Sequence, residues 1–141
     1  MPEIATAKRS ATCLRLRAGE PFIGKQGLTY AAAISAETAR ASAIHMQMLT
    51  MPPGGRAKAH KHDAHETAIY VLSGEAGMWY GERLEHHMVA DAGDFVYIPA
   101  DMPHLPYNRS RTEAASAVVA RTDPNEQESV VMLPELDAIH P

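Results

Sequence analysis

The chain has 141 residues, 45% of them hydrophobic and 21% charged, the balance of one globular domain long enough to bury a core. Its net charge of −4, with no basic cluster, speaks against a phosphate-tracking surface and so against nucleic acid as a partner. The one cysteine, Cys13, cannot close an intrachain disulfide, and the apolar runs are too short and broken to span a membrane, so the expected setting is the cytoplasm.

Residues 1–12 carry weak patterning and read as an N-terminal arm. Residues 13–17 (C-L-R-L-R) alternate like a half-buried strand, ended by Gly19-Glu20-Pro21. Apolar residues 28–35 form a second candidate strand, and 37–41 a connection. Residues 43–51 alternate loosely and stop at Pro52-Pro53-Gly54-Gly55, a strong turn signal. Further strands are expected over 76–80 and 83–90, joined as a hairpin through Gly81-Glu82, and over 114–121. The tail from about 123 to 141 is acidic, then apolar at Val130-Val131-Met132-Leu133, and reads as a segment packing outside the main fold or on a neighbouring subunit. Short strands with regular turn signals and no long amphipathic helix point to an all-β sandwich or barrel in a single domain, 1–141.

Two stretches carry chemistry. Residues 54–74 read G-G-R-A-K-A-H-K-H-D-A-H-E-T-A-I-Y-V-L-S-G. His60 and His62, two apart on a strand, point the same way at a spacing of about 7 Å. Glu66 shares their even parity, so it joins the inward face if the intervening loop does not reset the alternation. Imidazole and carboxylate ligands converging in a sheet suit first-row divalent ions. His65 is the rival to Glu66. Residues 93–108 read G-D-F-V-Y-I-P-A-D-M-P-H-L-P-Y-N, a Gly-Asp turn, an aromatic and β-branched strand, and a Pro-containing loop closing before His104.

Together the two stretches resemble the paired motifs of the cupin superfamily, in its small single-domain form. Gly54, His60, His62, Glu66 and Gly74 match the first motif, with the last gap one residue longer than the commonest form. Gly93, Pro99, His104 and Asn108 match the second, with Asp101 where the family usually has a glycine. The resemblance implies an antiparallel double-stranded β-helix, or jelly-roll β-barrel. It also implies one divalent metal ion (Mn, Fe, Ni, Zn or Cu) held by His60, His62, Glu66 and, from an opposite strand, His104. A homodimer is the implied assembly.

Met48, Tyr70, Trp79, Tyr97 and Asn108 are the candidates for lining a pocket for a small organic molecule, the expected partner, although Asn108 also suits a strand end where it would satisfy backbone groups. His86 and His87, adjacent on a strand, read as surface or hairpin residues; His45 and His140 have no partner at ligand spacing. The function implied first is a metal-dependent dioxygenase or oxidoreductase-like enzyme. Alternatives are isomerase, decarboxylase, lyase or polyketide-cyclase-like chemistry, or a non-catalytic ligand-binding module. With unperturbed histidines, metal affinity is expected to fall steeply from about pH 7 to about pH 5.

Overall fold

A computed structural model describes residues 12–126 and 129–141. The expected arm thus lies outside the described residues, save for position 12. The strands are β1 (Phe22–Ile23), β2 (Thr29–Ile34), β3 (His45–Met51), β4 (His60–His62), β5 (Thr67–Ser73), β6 (Glu75–Tyr80), β7 (His86–Asp91), β8 (Phe95–Ile98), β9 (His104–Asn108), β10 (Ala115–Arg121) and β11 (Val130–Met132). They form a six-stranded sheet in the order β1-β2-β3-β10-β5-β8 and a five-stranded sheet in the order β11-β4-β9-β6-β7. Neighbours pair antiparallel, and the two sheets make the jelly-roll β-barrel expected.

Alternation decides which side chains enter the barrel. In β10, Ala115, Ala117, Val119 and Arg121 are buried; in β3, His45, Gln47, Leu49 and Met51 are. Leu28, Tyr30, Leu49, Met51, Ala57, Ala115 and Val119 form one core cluster. A second cluster joins Ala59, Leu84, Leu105 and Leu136, with Trp79, Leu133 and Ile139 against it. Ala59 and Leu105 neighbour His60 and His104 in sequence, so they occupy the opposite face from the histidines.

Three expectations change. Residues 13–17 form no strand: Leu14 and Leu16 are exposed and no strand among the described residues pairs with them, so alternation there buries nothing. The 37–41 connection contains one helical turn, α1 (Ala36–Ala39), started by a capping box in which the Ser35 and Thr38 side chains each bond the other's backbone N–H. The apolar tail is part of the sheet. Its strand β11 pairs with β4, Val130 opposite His62 and Met132 opposite His60, so it protects the edge of the histidine strand. No helix among the described residues is long and apolar enough to cross a membrane.

Two backbone positions hold the turns around this region. Gly74 has φ 89°, and a Cβ there would lie 2.7 Å from Ala115 Cα, so both conformation and space call for glycine. Asp101 adopts φ 63° where the resembling motif has glycine, a conformation Asp tolerates better than most residues. Its N–H donates to the His62 carbonyl (3.1 Å), and its carboxylate accepts from Ala64 N–H (3.1 Å). The aspartate thereby ties the loop before His104 to the end of the His60–His62 strand.

Candidate metal centre

His60 and His104 are direct cross-strand partners on β4 and β9, and His62 is two residues along β4 from His60. All three rings are buried, and one nitrogen from each lies within 4.8 Å of the others. Ring centroids are 4.3 Å apart for His60–His104, 5.3 Å for His60–His62 and 5.5 Å for His62–His104. The Nδ1 atoms of His60 and His104 lie 2.7 Å from the Lys58 carbonyl and 2.8 Å from the Met102 carbonyl. A carbonyl only accepts, so both Nδ1 atoms carry the proton and both Nε2 atoms keep a free lone pair. Backbone oxygens thus set the tautomer and ring orientation that metal ligation needs.

Burial pushes all three imidazoles toward the neutral form. It drives His104 down to about 4, and His60 and His62 lower as well, with His104 adding to the effect on His60 and Arg121 adding to it on His62. Neutral, desolvated imidazoles, two of them with tautomers set by backbone carbonyls, are donors a divalent first-row ion takes, and the cluster is able to hold one.

The carboxylate does not join them. The turn after β4, with Ala64 at φ 63°, resets the alternation, so β5 begins with Thr67 buried and Glu66 exposed just before it. Glu66 accepts a hydrogen bond from the Tyr97 hydroxyl, and that bond, which favours the protonated phenol, pushes the Tyr97 pKa up. Thr67 takes the inward place beside the three histidines. The long gap to Gly74 was the signal, because the commonest spacing, counted back from Gly74, lands on Thr67. His65 is also outside the cluster, its Nδ1 lying 3.2 Å from Thr122 Oγ1.

The pocket candidates change too. The cavity at the histidines is lined by Leu49, Met78, Ile98, Val119, Thr67 and Arg121 among others, and by none of the five candidates. Met48 is on the opposite register of β3 from Gln47 and Leu49. Tyr70 packs on Phe95 and Tyr97 reaches Glu66, both on the exposed face of the six-stranded sheet. Trp79 stacks on His140 at 3.5 Å and 9°, facing away from the barrel interior. Asn108 is buried at a strand end, its Nδ2 reaching the carbonyls of Met51, Pro52 and Glu113.

Sequence reasoning missed Arg121. It is 4% exposed, and its Nη1 lies 3.3 Å from His62 Nδ1. Its odd parity with Ala115, Ala117 and Val119 was the available sign, obscured because a strand-terminal arginine usually faces water. Gln47 enters the same cavity by the parity of β3.

A family model described as Cupin domain matches residues 47–120. No curated protein matches the chain. Among solved structures, a deletion mutant of Bacillus subtilis oxalate decarboxylase superposes with TM-score 0.69 at 22% identity, over 86% of this chain and 32% of that one. A formate complex of Lactobacillus farciminis oxalate decarboxylase gives 0.68 at 21% identity, over 86% and 36%. A Bacillus subtilis oxalate decarboxylase studied for its Mn(II) centres gives 0.68 at 22%, over 81% and 30%. The chain spans about a third of the length of these structures, and the likeness is one of fold.

Proposed function

The chain belongs to the cupin family, and on that footing we propose that it is a metal-dependent enzyme acting on a small organic molecule, with His60, His62 and His104 as the metal ligands. The observation that carries this is the set of three buried imidazoles, two of them held by backbone carbonyls so that Nε2 is free, at a shared cavity. Three protein ligands leave at least one position open, which favours an enzyme over a closed structural site or a passive binding module. A divalent ion there would polarise a substrate oxygen or lower the pKa of bound water.

The protein's part is to keep the rings neutral, to exclude water with Leu49, Met78, Ile98 and Val119, and to position the substrate. Dioxygenase or oxidoreductase-like chemistry is our first reading. Decarboxylation comes next, supported by the oxalate decarboxylases with which the chain shares its fold; isomerase, lyase and cyclase chemistry follow. Elemental analysis of the purified protein tests the proposal, followed by an activity screen under the metal found. About one divalent ion per chain is expected, and a protein that takes up none from Mn, Fe, Ni, Zn or Cu would refute it.

A homodimer is part of the same proposal. The Val130–Met132 segment is used within the chain as β11, so its apolar side chains no longer argue for a partner. Support comes instead from the exposed face of the six-stranded sheet, where Tyr70, Leu72, Phe95 and Tyr97 present apolar surface. Light scattering at micromolar concentration decides it, and a monomer would reject it.

A further inference from the structure

The described residues leave the cluster with a charge imbalance. The three histidines are neutral ligands, Glu66 is directed elsewhere, and no carboxylate lines their cavity. Arg121 does line it, buried, and makes no ion pair within the described residues. Asp123, two residues on, has its carboxylate committed to the backbone N–H groups of Asn125 and Ser129. A guanidinium stays charged at any physiological pH; Asp123 acts on it from a distance but makes no hydrogen bond to it among the described residues, so its donors are left without a carboxylate acceptor in the cavity. A divalent ion among the histidines would add two more positive charges beside it.

We infer that Arg121 anchors the carboxylate of a small organic acid, which binds at the open side of the three-histidine cluster. This rests on the metal reading above and names the class of ligand the site takes. The guanidinium has a donor left for it: Nη1 meets His62 Nδ1, whereas Nε is buried and makes no hydrogen bond among the described residues. A carboxylate can accept from a guanidinium through both oxygens and carries the opposite charge, whereas a neutral amide offers one acceptor oxygen and no charge. Thr67, the cross-strand partner of Arg121, contributes a buried hydroxyl that is likewise without a partner among the described residues, so two unsatisfied polar groups from adjacent strands face one cavity. The same two residues also line a depression on the outer surface, bordered by Ile44, Glu66 and Tyr97, which marks where a ligand would reach them.

The test uses the full chain loaded with Mn, with carbon-13-labelled acetate as probe and labelled acetamide as its neutral isostere. Paramagnetic broadening of the probe signal reports binding near the metal, and elemental analysis reports occupancy. Acetate is expected to bind the wild type at least about tenfold more tightly than acetamide, because burying the ion pair rewards only the charged probe. Arg121→Gln should lose about tenfold or more of that affinity at unchanged metal content, with Arg121→Lys in between. Equal binding of acetate and acetamide by the wild type overturns the inference without needing any variant to fold. So does an Arg121→Gln protein that holds Mn and binds acetate as well as the wild type does. A wild type that takes up no Mn or other divalent ion fails at the earlier step, and overturns the metal reading together with this one.

Discussion

Thr67 is buried beside His60, His62 and His104, while Glu66, one residue earlier, accepts a hydrogen bond from the Tyr97 hydroxyl at the surface. The register of β5 produces this arrangement: Thr67 pairs with Arg121 on one side and Ile98 on the other, both inward-facing. A carboxylate expected in the cluster is therefore replaced by a hydroxyl, and the charge there is set by Arg121.

The ligand set follows from that geometry. His62→Ala and His104→Ala should each lose most of the bound metal, on the order of a hundredfold or more in affinity, with the circular dichroism of the barrel retained. Glu66→Gln should keep its metal within about threefold of the wild type, since its carboxylate is bonded to Tyr97 instead. Chelator competition on the three variants checks this. Loss of metal in Glu66→Gln equal to that in His62→Ala would return the carboxylate to the ligand set.

Removing the unsatisfied hydroxyl of Thr67 should help folding. Its Oγ1 is buried without a hydrogen bond among the described residues, so Thr67→Val exchanges an unsatisfied polar atom for a methyl group of similar volume. The metal-free variant should gain about 1 kcal/mol, read from the midpoint of denaturant unfolding. A loss of stability would show that the hydroxyl has a partner in solution.

Asn108 is a structural residue by the same accounting. Its side-chain amide reaches three carbonyls and its Oδ1 accepts the Ser110 N–H, tying the end of β9 to the ends of β3 and to the loop before β10. Asn108→Ala should cost about 2–4 kcal/mol, because it strands several buried backbone groups at once. Metal content per folded molecule should not change. Thermal unfolding and elemental analysis together separate this from a role at the site.

Stability of the metal-free protein should fall with acid. Burial holds His104 to about 4 in the folded state, and lowers His60 and His62 too, whereas an unfolded histidine takes a proton near 6.5. The unfolded chain binds more protons between those values, so stability is full above about pH 6.5 and is lost as pH falls toward about 4. The slope is up to about 1.4 kcal/mol per pH unit for each histidine. Urea midpoints at about pH 7.5, 6 and 5 should decline in that order, and constant midpoints would contradict the burial of the cluster.

The same burial moves the expected onset of proton competition for metal. Unperturbed histidines predict a steep loss of affinity from about pH 7 to about pH 5, but rings held neutral to about 4 give protons little purchase in that range. Metal affinity of the folded protein should change by less than about tenfold between pH 7 and pH 6. A larger loss there, by chelator competition, would mean that the rings titrate near their unperturbed values.

Local chemistry makes much of this legible in the sequence alone. The His-x-His spacing put His60 and His62 on one face because strand side chains alternate, and the turn residues at Pro52–Gly55 and Gly74 bounded the strands correctly. The second motif supplied His104, and the paired motifs supplied the barrel. What parity could not do was cross a turn. Ala64, in a left-handed conformation, shifted the alternation by one residue and exchanged Glu66 for Thr67, since a one-residue slip sends every later side chain to the other face. Arg121 and Gln47 were in the sequence with the right parity, yet only the pairing of β10 with β3 and β5 brought them to the histidines. The tail was legible as apolar, but its place against β4 is a long-range contact that no local pattern encodes. Strand periodicity is a property of a few consecutive residues, whereas the charge of the cavity is decided by strands distant in sequence, and only tertiary structure joins them.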